Sequence, residues 1–312
     1  RRTSMATALD TRAPTPPPSP SSAPAGWRRV RSKLALPLLA GGGGALIVGY
    51  LSLIVLIPVA ALVAHGFSLS VTTHGAGAEF WRWSVSIGWK TFWTAVTAPG
   101  AKEAIFLSLW LSLSVAAINA VMGVAIAWVL VRDKFIGKGL LEASIDLPFA
   151  LPTIVAGVVL LAIYGVDSPI HVDLFETWMG LMLALLFVTL PFSVRAVQPV
   201  LASLDLESEA AARTLGAGGV RTFFTVVLPS LWPAILGGFG LAFARAVGVF
   251  GSISLIAGGL GRTTTASYYI YNLTQGFLWT DAAAVSTALL VISLVILVTS
   301  NVLSRRFQKR TL

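Results

Sequence analysis

The stretch "ESEAAARTLGAGGVRTFFTVVLPS", Glu207 to Ser230, is polar and glycine-punctuated, and it separates two long apolar runs. Asp205, Glu207 and Glu209 suit the positive end of a helix that continues through Ala210, Ala211 and Ala212 to Leu215, because carboxylates near a helix N-terminus meet unpaired N–H groups. "GAGG" (216–219) then permits a sharp turn. After it, Val220, Phe223, Phe224 and Val227 recur at i, i+3, i+4 and i+7 opposite Arg221, Thr222 and Thr225, the pattern of a short amphipathic helix. Leu228-Pro229 is expected to end that helix and open the next, since proline suits a first helical turn and disfavours continuation of the preceding one. The reading is helix, glycine turn, helix, with small residues on one exposed surface where another protein's backbone can come close. An ordinary amphipathic hairpin lying on a membrane surface fits the same residues.

The flanking runs make this a membrane protein. Of 312 residues, 56% are hydrophobic and 11% charged, more apolar surface than a soluble core of this size requires. There is no cysteine, so disulfides, thiolate metal sites and cysteine nucleophiles are excluded. The formal net charge of +9 does not indicate nucleic-acid binding, because the Lys and Arg residues sit at the ends of apolar segments instead of gathering on one soluble face.

Six apolar segments near 34–63, 104–131, 146–164, 178–198, 230–257 and 282–304 are each long enough for a hydrocarbon core of ~30 Å, which takes about 20 helical residues. The expected fold is an all-α integral membrane protein. Residues 1–33 form a basic, Pro/Ser/Ala-rich tail expected to be disordered, with Met5 a plausible start. The first span follows "WRRVRSK" and ends in "ALVAHG", which imitates a cleavage site, but its apolar run is about twice that of a signal peptide. With a cytoplasmic amino terminus, 17 of 22 basic residues fall inside: the tail, 132–138, Arg195, Arg213, Arg221 and the terminal "RRFQKR". Lysine and arginine favour the inner side, so both termini, including 305–312, are expected in the cytoplasm.

Residues 64–103 then lie outside, and within them Trp81, Val85, Trp89, Phe92, Trp93 and Val96 share one helical face. That face suits an anchor in the outer leaflet or a docking surface for an extracytoplasmic partner. No internal repeat appears at a solenoid or propeller period. The two halves lack the matched broken helices of many secondary transporters.

The spacing of the 207–230 stretch resembles the cytoplasmic signature loop of ABC importer permeases: Glu-Ala-Ala, three residues, Gly, nine residues, Ile, one residue, Leu-Pro. Registered on Gly216, Ala211 and Ala212 fill the alanine slots, Val226 the isoleucine slot, and Leu228 and Pro229 the closing pair. The acidic slot departs from the pattern. Ala210 occupies it and Glu209 lies one residue earlier, a shift that rotates a side chain by about 100°.

"DLPFALPTIVAG" (146–157), "LPFSVRAVQPVL" (190–201) and "FARAVGVFGSISLIAG" (243–258) are similar to stretches of sulfate/thiosulfate ABC importer permeases of the CysT type. The resemblance runs from about 104 to 304 and implies the six-helix type I importer architecture, with a cytoplasmic coupling hairpin in the loop 199–229. It implies a bacterial cytoplasmic-membrane location, a sister permease, two copies of a cytoplasmic ATPase, an extracytoplasmic sulfate-binding protein and alternating access. On this reading the ATPase-coupling loop comprises Glu209, Ala211, Ala212, Gly216, Val220, Phe223, Phe224, Leu228 and Pro229; Ala211, Ala212 and Gly216 make the close contact, while Val220, Phe223 and Phe224 join the hairpin to its own helices. No G-x-x-x-x-G-K-[ST] phosphate loop is present, so the chain is expected to be no enzyme by itself and to bind no cofactor, ATP and Mg²⁺ belonging to the partner. A molybdate or other oxyanion permease fits the same segments; a secondary transporter, a channel and a scaffold are the readings from other classes.

Arg245 is expected near the middle of the fifth span, where a charge costs at least about 2.5–3.5 kcal/mol and faces a partner or a water-filled path. Two roles fit: an anion-attracting group along the translocation path, or a structural arginine satisfied by neighbouring helices. Related permeases commonly carry an acidic residue at the slot of Val249, one turn on; here that partner is missing. Pro148 and Pro152 open the third span, as a kink or as part of a gate. Gly41 to Gly44 favour close packing in the first span. His65, His74 and His171 are scattered in outer loops and make no metal site.

Overall fold

The structure is a computed structural model, and it describes residues 48–67, 89–166, 168–169, 171–257 and 263–308. The tail 1–33, the opening of the first span with Gly41 to Gly44, His74, the Trp-rich segment up to 88 and residues 309–312 lie outside the described residues. No strand occurs among those described. The chain divides into two units, Arg1–Val59 and Ala60–Leu312, the boundary falling inside the first helix, α1 (Val48–Gly66). Of the first unit, the described residues are the turns of α1 before Ala60; every other helix belongs to the second.

In chain order the remaining helices are α2 (Trp89–Thr97), α3 (Pro99–Arg132), α4 (Lys138–Ala150), α5 (Thr153–Tyr164), α6 (Trp178–Ser203) and α7 (Leu206–Thr214). They are followed by α8 (Gly219–Val247), α9 (Gly251–Ile256), α10 (Ala266–Gln275) and α11 (Trp279–Gln308). Helices α1, α3, α6, α8 and α11 are each long and apolar enough to cross a membrane, and α4 with α5 makes a broken sixth candidate. The protein is therefore a multi-pass membrane protein.

The bundle is built on α3, α6 and α8, which approach where side chains are smallest. A Cβ at Gly123 of α3 would lie 2.8 Å from the Cβ of Ser193 on α6 and 2.9 Å from its carbonyl carbon; one at Gly238 of α8 would lie 3.2 Å from the same residue's Cα. Within a membrane, where apolar burial gives little driving force between helices, such contacts and interhelical hydrogen bonds hold a bundle together. Asn119 of α3 donates from Nδ2 to Thr189 Oγ1 of α6 (2.8 Å) and to the Leu186 carbonyl (3.2 Å). Ser300 and Ser304 of α11 donate to the carbonyls of Leu236 and Pro233 of α8, both at 2.7 Å. Helix α11 thus runs antiparallel alongside α8, its C-terminal part beside the middle of α8.

Two predicted spans are not single helices. The segment 146–164 turns through 116° between α4 and α5. Leu151 is extended (φ −85°, ψ 131°), as a residue preceding proline prefers, and Pro152 caps α5. Pro148 lies inside α4, so the two prolines do not jointly open one helix. Arg195 of α6 bridges to Asp146 with an Nε–Oδ1 distance of 2.9 Å, holding α4 just ahead of the break. The segment 230–257 likewise stops at Val247 and resumes in the six-residue α9, which packs on α5 through Gly157 beside Ser252 and Gly251 beside Thr153.

A π-helical turn marks α1 at Ser52–Leu56 and α8 at Phe223–Val227. Each ends one residue before an X-Pro pair, Ile57-Pro58 or Leu228-Pro229. Proline lacks the N–H for the i−4 carbonyl and its ring presses on that carbonyl; the wider turn carries the helix past it. Near the described part of the Trp-rich segment, Phe92 and Ala95 of α2 pack with Ala284 of α11, and Phe92 stacks on Phe67 at 4.5 Å. Trp89 and Trp93 stay exposed.

Gly123→Ala is expected to cost about 1–3 kcal/mol, the usual penalty of overpacking, and to lower the thermal midpoint in detergent. Gly237→Ala, with nothing within 4 Å of the added carbon, is expected to hold or raise it, since alanine is favoured over glycine in a helix by up to about 1 kcal/mol.

Candidate functional site

The hairpin predicted at 207–230 is α7, a glycine turn and the first turns of α8. Asp205 starts α7: its Oδ1 accepts from the Glu207 N–H at 2.9 Å, satisfying one of the unpaired donors of a helix N-terminus. The helix ends in a Schellman turn, Ala217 N–H donating to the Ala212 carbonyl (3.0 Å) and Gly216 N–H to the Arg213 carbonyl (2.9 Å). That turn needs a left-handed residue, and Gly216 supplies it at φ +85°. Nothing lies within 4 Å of where its Cβ would be, so a side chain there points into open space.

Leu228-Pro229 does not end the hairpin's second helix. Gly219 to Val247 is one helix, with the π turn absorbing Pro229 and Ser230 Oγ donating to the Val226 carbonyl at 2.9 Å. The second arm of the hairpin is therefore the end of a membrane-length helix and cannot tilt independently of it.

The inward face of this arm differs from the predicted one. Thr222 and Val227 are buried, and Phe223 meets Trp128 of α3 edge-on at 5.4 Å. Val220 and Phe224, predicted to join the hairpin to its own helices, are 74% and 59% exposed. The helical period groups the four residues on one face; Phe223 and Val227 find packed neighbours there, while Val220 and Phe224 do not. With Val121, Val124, Trp128 and Trp232 they line an apolar groove of about 860 Å³ between α3 and α8. On α7, Ala211 is exposed and Ala212 half-buried; Leu215, ahead of Gly216, is 88% exposed. Leu228 and Pro229 are half-buried.

Glu209 is turned away from this exposed surface. It is 6% exposed, and its Oε1 accepts from the guanidinium of Arg132, in the last turn of α3. Arg213 approaches the other carboxylate oxygen at 3.9 Å. Arg132 carries no distinctive local signal: along the sequence it is one inner-side charge among many, and only the fold gives it a partner.

Arg245 is not central in a helix. It occupies the last turn of α8, ahead of Gly248, and is exposed. There it complements the unpaired carbonyls of the helix C-terminus, and no side-chain hydrogen bond or ion pair to it occurs among the described residues.

This arrangement, a bundle of membrane-length helices with a hairpin continuous with one of them, is the fold of a type I ABC importer permease. It is similar to a bacterial ABC transporter involved in the import of the acidic polysaccharide alginate, with TM-score 0.68 at 17% identity over 90% of this chain and 98% of that one. An amino acid ABC transporter matches with TM-score 0.53 and 17% identity over 69% and 98%.

The chain belongs to the family described as binding-protein-dependent transport system inner membrane component, which matches residues 119–312. The sulfate transport system permease protein CysT of Salmonella typhimurium is 36% identical over 269 residues, 84% of this chain and 91% of that protein. The Escherichia coli CysT protein matches at the same identity and coverage. A probable sulfate transport system permease protein of Nephroselmis olivacea is 41% identical over 67% of this chain and 77% of its own length. The resemblance to CysT-type permeases thus extends well beyond the stretches 146–157, 190–201 and 243–258.

Gly216→Ala places a Cβ in the left-handed region at about 1–2 kcal/mol. The expected result is faster hydrogen exchange at the Gly216 and Ala217 amides with unchanged protection of α3 and α6. Gly216→Asn, which tolerates that conformation better, is expected to lie between alanine and wild type.

Proposed function

We propose that this chain is a membrane-spanning permease subunit of an ATP-driven, binding-protein-dependent importer of sulfate or thiosulfate. The observation that carries this reading is identity of 36% sustained over 84% of the chain to proteins named as sulfate permeases. The hairpin supports it physically: Ala211, Gly216 and Leu215 offer an exposed docking surface of small and apolar groups, anchored on a membrane-length helix.

In this reading the chain lies in the bacterial cytoplasmic membrane, in contact with lipid, with both termini and the hairpin in the cytoplasm, as the lysine and arginine bias favours. A sister permease completes the channel. Two copies of a cytoplasmic ATPase bind ATP and Mg²⁺ and grip the hairpins, and an extracytoplasmic sulfate-binding protein delivers the anion. The chain itself binds no nucleotide and carries no catalytic residue. Closure of the ATPases draws the hairpins together; α8, being continuous with its hairpin, converts that displacement into a tilt of the bundle, and the path alternates between the two sides. Arg245, exposed and cationic in the last turn of α8, attracts the anion on its route.

The test is ATP hydrolysis by the chain reconstituted in vesicles with the sister permease and ATPase, sulfate-bound receptor being added from outside. Stimulation by the loaded receptor, with sulfate accumulating inside and both lost in Gly216→Trp while membrane expression stays normal, is the expected outcome. Sulfate movement indifferent to ATP, or an ATPase that never assembles with the chain, would refute the reading.

A further inference from the structure

Glu209 stands out on a hairpin whose other side chains mostly face outward. A carboxylate that is 6% exposed needs a compensating charge, and it finds one 77 residues away in Arg132. The guanidinium is itself only 17% exposed and lies 5.6 Å over the Trp128 ring. Trp128 is the residue against which Phe223 packs. Carboxylate, guanidinium, indole and phenyl ring therefore form one chain of contacts that ties α7, the end of α3 and the start of α8. The hairpin's two arms are anchored to the same helix end, one by charge and one by aromatic packing. Nε of Arg132 is also buried without a partner, so the guanidinium is held there by Glu209 and Trp128 and not by a saturated set of hydrogen bonds.

We propose that Arg132 is a positioning residue for energy coupling: through Glu209 it latches the hairpin to α3, so that displacement of the hairpin moves α3 together with α8. The inference rests on the importer reading. Apart from its packing on the first turns of α8, α7 has this ion pair as its side-chain tie to α3; without it, a push on α7 reaches α3 only through α8, and part of it is absorbed by bending at the Gly216 turn and at Leu204-Asp205. With it, the push reaches two of the three helices that meet at Ser193. The one-residue offset of the acidic position follows from the same geometry: Ala210 faces outward, and the carboxylate at 209 is rotated onto α3. Lysine is a poor substitute for Arg132, because it has neither the planar fork nor the stacking on indole.

The experiment measures sulfate transported per ATP hydrolysed in the reconstituted full complex, which separates coupling from yield and assembly. Arg132→Gln and Glu209→Gln are each expected to lower this ratio about tenfold, within the range of coupling between linked sites, and Arg132→Lys to lower it less. The Arg132→Gln/Glu209→Gln double variant is expected to be no worse than either single one, as for two residues acting as a unit. Because the chain has no cysteine, R132C/E209C joined by a short bis-thiol linker provides a second measurement. The joined protein is expected to regain the ratio lost by the unlinked one. Single variants with the wild-type ratio, additive losses in the double variant, or a linked protein that hydrolyses ATP without moving sulfate would each overturn the latch. A wild-type complex that shows no receptor-stimulated hydrolysis would instead overturn the importer reading itself, and the latch with it.

Discussion

The approach of three helices at Ser193 is the constraint on which the rest of the bundle depends. Gly123 of α3 and Gly238 of α8 both come so close to Ser193 of α6 that a methyl group would have no room at the first and little at the second. In hydrocarbon, where apolar side chains gain little by leaving lipid, this closeness supplies the dispersion contacts that hold helices together. Hydrogen bonds from Asn119 to α6 and from Ser300 and Ser304 to α8 then set rotation and register. Once α3, α6 and α8 are fixed relative to one another, the end of α3 and the start of α8 are held side by side, and the hairpin has a platform.

Proline is the second organising element, and its effect depends on what surrounds it. At Pro58 and Pro229 the helix widens by one π turn and continues. At Pro152 the chain breaks, because Leu151 adopts the extended conformation and α5 finds a separate neighbour in α9. Pro191 and Pro199 sit inside α6 without a π turn. The outcome at Pro229 shapes the hairpin most: its second arm passes into the membrane-length helix without a break.

Much of the candidate site was legible locally. Asp205 as a cap, the alanine run, the left-handed glycine and the amphipathic second arm are all short-range consequences of side-chain chemistry, and Gly216 performs the turn its position suggests. What periodicity missed was that Val220 and Phe224 face an open groove between α3 and α8 instead of a packed neighbour, and that a π turn carries the helix past Pro229. It also missed that Arg245 stands in a last helical turn: apolar runs on both sides of Gly248 read as one span, and only the packing of α9 on α5 shows the break.

The sequence by itself determined that this is a helical membrane protein, that a helix–glycine–helix element interrupts its apolar runs, and that it resembles the ABC importer permeases. Each of these rests on composition or on spacings within a few turns, where backbone geometry ties neighbours together. Only the tertiary structure decided that Glu209 points inward to Arg132, that the third predicted span is bent through 116°, and that the hairpin's second arm is the end of a membrane helix. A buried charge takes its partner from whatever helix the packing brings near, and the residues that bring α3 to the hairpin are glycines and a serine with no local signature.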